Sequence, residues 1–271
     1  MTEPPGEPAR VRYREDRLRV GVWLPPAIAL VILIGIWQIY AVHHPYVAPR
    51  VSKIASQLDH RPGLYARNAW TTLQEALIGG AAGMGVAFVL ALVMFYVHVV
   101  ERALLPLAVV LNVTPLIAIA PALVVAFGFG MTPKYVIASL LVFFPFLVNA
   151  LAGLRAVDPE ALDLVATLHA SRAEVLWRLR LPSSLPYLFA AGRICVPLSL
   201  VGAVVAEFVA AGEAKGLGTL VVTAASLGDL GTVYAAVVVL AVLGVAMFGA
   251  VVALQRIVLG RYAPSTEMRG R

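Results

Sequence analysis

Phosphate, metal and thiol chemistry in this chain of 271 residues would have to come from Lys53, Lys134 and Lys215, from five histidines and from one cysteine. None of the lysines sits in a G-x-x-x-x-G-K-[ST] framework, the glycine-rich turn whose backbone amides cradle a nucleotide's phosphates, so the chain is not itself the ATPase of any system it serves. His43, His44, His60, His98 and His169 show no metal-ligand spacing within an apolar run, and the adjacent His43 and His44 read as a membrane-interface pair. Neither G-x-S-x-G nor H-E-x-x-H occurs, which removes the common hydrolase signatures. Cys195 is alone, cannot form an intrachain disulfide, and reads as a small packing residue.

A different chemistry, that of docking, is written into residues 158–182, DPEALDLVATLHASRAEVLWRLRLP. Asp158 followed by Pro159 is a helix start, with a carboxylate to cap the first free amides and a proline where no amide is needed. Ser171 with Glu174 three residues later is a capping box, so a second helix begins there and the turn falls at His169–Ala170. Leu162, Val165, Ala166 and His169 recur at helical spacing in the first helix, as do Val175, Leu176 and Leu179 in the second, while Arg172, Arg178 and Arg180 are expected in water. Two short amphipathic helices on tight tethers have the shape of a plug for a groove on a soluble partner.

The elements that hold this hairpin are membrane spans. With 61% hydrophobic and 13% charged residues and a mean hydropathy of +0.87, the chain lies outside the range of soluble domains. Runs long enough to cross ~30 Å of hydrocarbon are expected at Val20–Val42, Leu73–Val100, Leu104–Phe129, Tyr135–Leu154, Leu185–Val209 and Tyr234–Leu259. That gives a six-helix domain over 20–260, a flexible Pro-rich tail over 1–19 and a short tail over 261–271. Arginine crowds one set of connections, at positions 10, 12, 14, 17, 19, 102, 155, 172, 178, 180, 256, 261, 269 and 271. The other set has Arg50, Lys53, Arg61, Arg67, Lys134 and Lys215, so the positive-inside rule expects both termini and the hairpin to be cytoplasmic.

Within the spans, Gly79-x-x-x-Gly83 and Ala81-x-x-x-Gly85 would let backbones approach closely. Pro106, Pro115 and Pro121 are expected to interrupt the third span, Pro145 the fourth, and Pro186 and Pro197 the fifth. Charges inside spans are costly enough to mark function: Glu75 near the outer start of the second, Arg193 in the inner half of the fifth and Glu207 near its outer rim. Asn149, Ser199, Glu207 and Arg193 are the candidates for lining a pathway, with Asn112, Thr114 and Ser139 as softer ones; Thr114 and Ser199 can also bond back to their own helices.

The segment ending in Leu181-Pro182 resembles the EAA loop of permeases of ATP-binding-cassette importers. Aligned on that ending, the family's first Glu falls on Asp163, its two alanines on Leu164 and Val165, its turn glycine on His169 and its Ile on Leu179. The acidic start, Ala170-Ser171 and the Leu-Pro ending are kept, whereas the alanines and the glycine are replaced. The resemblance covers Trp70 to Leu259, through TLQEALIGGAAGMG, TPLIAIAPALVVAFGFG, FFPFLVNALAGLRAVDPEALDL, RLPSSLPYLF, VGAVVAEF and KGLGTLVV, and is nearest to the branch serving nitrate, sulfonate, taurine and thiamine-pyrimidine or riboflavin-like solutes.

The resemblance implies an all-α membrane protein with six transmembrane helices and a cytoplasmic helical hairpin, similar to type I importer permeases. It implies residence in a bacterial cytoplasmic membrane, a second permease copy, a cytosolic ATPase dimer that carries ATP and Mg, and an extracytoplasmic solute-binding protein. No cofactor on this chain and no nucleic-acid partner are expected. Asp163, Val165, His169, Ala170, Ser171, Leu179, Leu181 and Pro182 would couple to the ATPase. The residues by themselves leave open an ATP-independent transporter or channel, which would need mid-span coupling carboxylates and an inverted repeat.

Overall fold

In the computed structural model, which describes residues 20–209 and 215–262, Glu75 lies against Lys134, Gly79 against Ala138 and Gly83 against Val142. The constant offset means that helices α3 (Pro62–Tyr96) and α6 (Met131–Arg155) run parallel. Helix α9 (Leu181–Val209) packs antiparallel to α6, since Gly202 meets Ala138, Cys195 donates to the Val142 carbonyl and Gly153 meets Ser184. Helix α11 (Leu230–Tyr262) returns against α9, placing Gly192 by Val251 and Gly244 by Leu200.

Small residues make this close packing possible. A Cβ at Gly79 would lie 2.7 Å from the Ala138 Cβ, one at Gly83 would run into the Ser139 backbone, and one at Gly202 would lie 2.8 Å from the Ala138 Cα. The first small-residue motif thus seats α6 as expected. The second does not: a Cβ at Gly85 meets nothing among the described residues, and Ala81 is exposed.

Because α3 and α6 are parallel, the chain between them must return across the bundle. It does so in two pieces, α4 (His98–Val113) and α5 (Leu116–Phe127), bent by 99°. The third span, expected over Leu104–Phe129 with interruptions at Pro106, Pro115 and Pro121, is corrected here: it starts at His98 and breaks at Pro115 alone. Pro115 forces the preceding Thr114 into an extended conformation, φ −69° and ψ 127°, because a proline ring clashes with a helical predecessor. Pro106, Pro121, Pro145, Pro186 and Pro197, by contrast, lie inside helices that continue through them. Five helical stretches are long and apolar enough to span by themselves, and the bent pair, counted as one broken span, brings the number to six.

Helix α3, at 35 residues, is roughly 50 Å long at ~1.5 Å per residue and starts well before the apolar run. Its first turns carry Asn68, Thr72 and Glu75 into the interior rather than into a loop. Two short helices join the expected set. Helix α2 (Val51–His60) contributes Ile54 and Leu58 to a cluster around Tyr65, Leu217 and Ala235, and α10 (Leu217–Ser226) precedes α11. The hairpin comprises α7 (Pro159–Thr167) and α8 (Arg172–Val175), followed by a π-helical turn, Leu176–Arg180, that runs into α9 without a break. The fifth span therefore starts earlier than Leu185. Pro182 has no amide for the Arg178 carbonyl and its ring would crowd it, so widening the preceding turn relieves both problems.

The chain divides between Lys53 and Ile54 into two compact units. In the first, α1 (Val20–His43) is followed by a segment folded back on it: Trp37 Nε1 donates to the Pro49 carbonyl at 3.2 Å and the Val51 amide to Gln38 Oε1 at 3.0 Å. The tail expected over 1–19 lies outside the described residues. So does the C-terminal one, apart from the backbone of Arg261 and Tyr262 at the end of α11.

Candidate functional site

The hairpin is built by contacts between near neighbours. Asp158 caps α7 by accepting from the Glu160 amide at 3.0 Å. At the other end of α7 the His169 amide donates to the Ala166 carbonyl and the Ala170 amide to that of Val165, the paired bonds of a Schellman ending with His169 in the left-handed position. His169 has φ of +53°, the only positive value of any non-glycine residue described, so histidine fills the backbone role of the missing glycine. The capping box of α8 is complete: the Ser171 amide donates to Glu174 Oε2 at 2.9 Å and the Glu174 amide to Ser171 Oγ at 3.3 Å.

These caps orient two faces. Leu162, Val165, Val175, Leu176 and Leu179 are half-buried, as are Ala170, Leu181 and Pro182; Leu176 and Leu181 pack on the cluster formed by Ala91, Met94, Leu151 and Leu154. Facing outward are Asp163, His169 and Ser171 together with large apolar groups: Leu164 is 63% exposed, Leu168 72% and Trp177 70%. The expected apolar stripe that included Ala166 and His169 is thus corrected, since both are exposed. Leu164 and Leu168, one helical turn apart, form the outward stripe that the sequence reading missed.

Two arginines stitch the hairpin end of the bundle. Arg155, at the end of α6, binds Glu101 of α4 with two bonds of 2.9 and 2.6 Å. Arg180, expected in water with Arg172 and Arg178, is instead half-buried. Its Nη1 donates to the Leu154 carbonyl at 3.0 Å and its guanidinium lies 4.6 Å from the centre of the Phe95 ring. Arg172 and Arg178 are exposed as expected.

The far end of the bundle holds a buried charged network. Lys134 Nζ lies 2.7 Å from Glu75 Oε1, and neither side chain is exposed. Lys134 is therefore a core residue and not the loop lysine expected between the third and fourth spans. Glu207, expected at the rim, is also fully buried. Its Oε1 accepts from the Thr72 hydroxyl at 2.7 Å and its Oε2 from the Gly218 amide. Thr72 Oγ1 in turn accepts from the Leu217 amide at 2.8 Å, and Asn68 Oδ1 from the Gly216 amide at 2.8 Å. The last turn of α9 and the first residues of α10 are thereby tied to α3. Only glycine fits beside that carboxylate, because a Cβ at Gly216 would overlap it and one at Gly218 would lie 2.7 Å from Oε2.

The other pathway candidates are scattered. Ser199 is buried opposite Gly80 and donates to the Val196 carbonyl of its own helix at 2.7 Å. Thr114 likewise bonds back to Val110. Asn149 is half-buried and its amide donates to the Pro145 carbonyl at 2.7 Å. Arg193 is half-buried with an Nε that has no hydrogen-bond partner.

A bundle of parallel and antiparallel spans with a capped hairpin emerging between two of them is the architecture of a multi-pass membrane protein, and similarity to known proteins specifies which class. Residues 82–260 match the family described as binding-protein-dependent transport system inner membrane component. The chain belongs to that family and is the permease subunit of an ABC importer, working with an ATPase and a binding protein. It is similar to the formylaminopyrimidine transport permease protein ThiX of Halalkalibacterium halodurans, with 34% identity over 87% of this chain and 95% of that one. The riboflavin transport system permease protein RibX of Chloroflexus aurantiacus is 28% identical over 86% and 88%. The putative aliphatic sulfonates transport permease protein SsuC of Bacillus subtilis is 25% identical over 86% of each. Among solved structures, a chain of the MetNI methionine ABC transporter in inward-facing conformations shares the fold, with a TM-score of 0.64 at 17% identity over 72% of this chain and 96% of that one.

Proposed function

We propose that the hairpin over 158–182 is the seat of the ATPase and that two copies of this chain form the pathway for a small polar organic or anionic solute. The observation that carries the reading is the division of the hairpin into a face packed on the span ends and a capped outward face bearing Leu164, Leu168 and Trp177 beside Asp163. Apolar side chains held that far from their own bundle are the kind a protein partner covers. ATP and Mg act on the ATPase, and this chain supplies no bond chemistry. Its contribution is a bundle with two packings, biased by the partner's nucleotide state.

In this reading the hairpin and both termini are cytoplasmic and the membrane is the bacterial cytoplasmic membrane. With Lys134 removed to the core, the arginine and lysine bias becomes fourteen to five, which strengthens the orientation. The relatives' names point to formylaminopyrimidine, riboflavin or sulfonates as the chemical neighbourhood of the solute. Among the four pathway candidates Arg193 keeps a free donor, which suits an anionic or carbonyl-bearing solute, and Asn149 stands on the span that leads into the hairpin.

Co-expression with the accompanying ATPase tests the seat. Asp163→Lys and Leu168→Asp are expected to lower the ATPase that co-purifies while the permease still inserts. Undiminished recovery of the ATPase with both variants would remove the hairpin's outward face from the interface.

A further inference from the structure

We infer that Arg180 is a positioning residue that makes the hairpin and the span ends move as one body, so that displacement of the hairpin by the ATPase is delivered to α3 and α6. The inference rests on the hairpin being the ATPase's seat and adds how motion leaves that seat. A hairpin joined to the bundle only through flexible connections could be pulled without moving a span. Here the second half of the hairpin is continuous with α9 and Leu176 and Leu181 pack on the ends of α3 and α6, but apolar contacts can slide and do not by themselves lock the hairpin to those helices. Arg180 does. Its bond to the Leu154 carbonyl grips the last turn of α6, and its guanidinium lies over Phe95, one residue before the end of α3.

The local backbone explains why this arginine is turned inward while its neighbours are not. The π-helical turn over Leu176–Arg180, closed by the Leu181 amide bonding to the Leu176 carbonyl, carries one residue more than an α-helical course. Arg180 lies one turn on from Leu176, which packs on the span ends, and so shares its inward face. Arg172 and Arg178 remain exposed, and Arg180 comes round onto the span ends. The guanidinium suits the position because it is planar, permanently charged and weakly hydrated, able to lie on a ring and donate to a carbonyl together. The Leu154 carbonyl belongs to the last turn of α6, where unpaired carbonyls and the negative end of the helix dipole favour a cation. Arg155, one residue further on, is already engaged by Glu101, so the same helix end is tied onward to α4.

The test uses the full transporter, assembled from labelled chain diluted with unlabelled chain and from the ATPase. Spin labels are placed at Glu160→Cys on the hairpin and Val99→Cys at the start of α4, both exposed, and the distance distribution is recorded without nucleotide and after trapping with ATP and vanadate. With Arg180 present, one narrow distance is expected in both states. With Arg180→Ala, the distribution should broaden or shift on trapping while the ATPase remains bound and hydrolyses ATP. Arg180→Lys, which keeps a cation able to reach the carbonyl, should restore most of the narrow distance, and Phe95→Leu should fall between. A narrow, unchanged distance in Arg180→Ala overturns the inference, and so does a distance that already shifts on trapping with Arg180 in place. Loss of folded protein in Arg180→Ala with no rescue by Arg180→Lys shows a purely structural residue and also overturns it. Undiminished retention of the ATPase by both Asp163→Lys and Leu168→Asp would instead defeat the docking reading, so the two failures are distinguishable.

Discussion

Within the hairpin itself, the bonds that set the shape join residues two to five apart: Asp158 to Glu160, Ala170 to Val165, Ser171 to Glu174. At the far end they cross the chain, from Lys134 to Glu75 over 59 positions and from Thr72 to Glu207 over 135. Locally built structure keeps its form while its surroundings change, which suits a part that a partner grips. A network of buried side chains from three helices and the backbone amides of a fourth holds only if all four are in place, which suits a part that must not yield. Position in the bundle therefore indicates how each end fails: the far end as loss of the fold, the hairpin end as loss of contact or coupling.

The largest effect is expected from Lys134→Met alone, which leaves the Glu75 carboxylate buried without its partner. Removing one member of a buried ion pair costs about 3–5 kcal/mol, and the thermal midpoint of the purified protein should fall accordingly. Pairing it with Glu75→Gln should recover most of the loss. Equal midpoints for the single and double variants would show that the ion pair is not what holds α3 to α6.

A smaller change is expected from Glu207→Gln. The amide can still accept on one oxygen but must turn its NH₂ toward either Thr72 or the Gly218 amide, and one mismatched buried group costs about 1–3 kcal/mol. Hydrogen exchange of the Leu217 and Gly218 amides should quicken while the hairpin amides keep their rates. Quickening across the whole chain would contradict a local latch.

The smallest effects belong to the hairpin and separate its backbone from its surface. His169→Gly should be tolerated or slightly stabilising, since glycine enters the left-handed region freely, whereas a β-branched residue resists it. His169→Val should weaken ATPase recovery with little change in thermal midpoint. Equal ATPase recovery in the two variants would mean that φ of +53° at His169 is immaterial to docking.

The same contrast explains what the sequence disclosed. The caps at Asp158 and Ser171, the left-handed turn at His169 and the count of six crossings were legible because each depends on residues close in the chain or on the length of an apolar run. The bend at Thr114–Pro115 was not singled out, because six prolines in the spans look alike until neighbouring helices decide which one is left unsupported. Lys134 read as a loop residue because a lysine next to an apolar run belongs in water unless a carboxylate waits inside, and Glu75 is 59 positions away. Arg180 read as wet because a guanidinium belongs in water unless a ring and a free carbonyl wait for it, and the Leu154 carbonyl it binds is 26 positions away.

The most direct test of hairpin docking exploits the burial of the chain's lone native thiol. Cys195 is buried and is the only cysteine in the sequence, so Leu168→Cys supplies a reactive thiol on the outward face of the hairpin. A thiol-linked photo-crosslinker at that position, in transporter assembled with its ATPase in membranes, should yield a covalent permease–ATPase product. Its amount should change when the nucleotide state is switched from ATP-free to vanadate-trapped. Adducts only to lipid or to a second permease copy, in both states, would contradict the hairpin as the place where the ATPase takes hold.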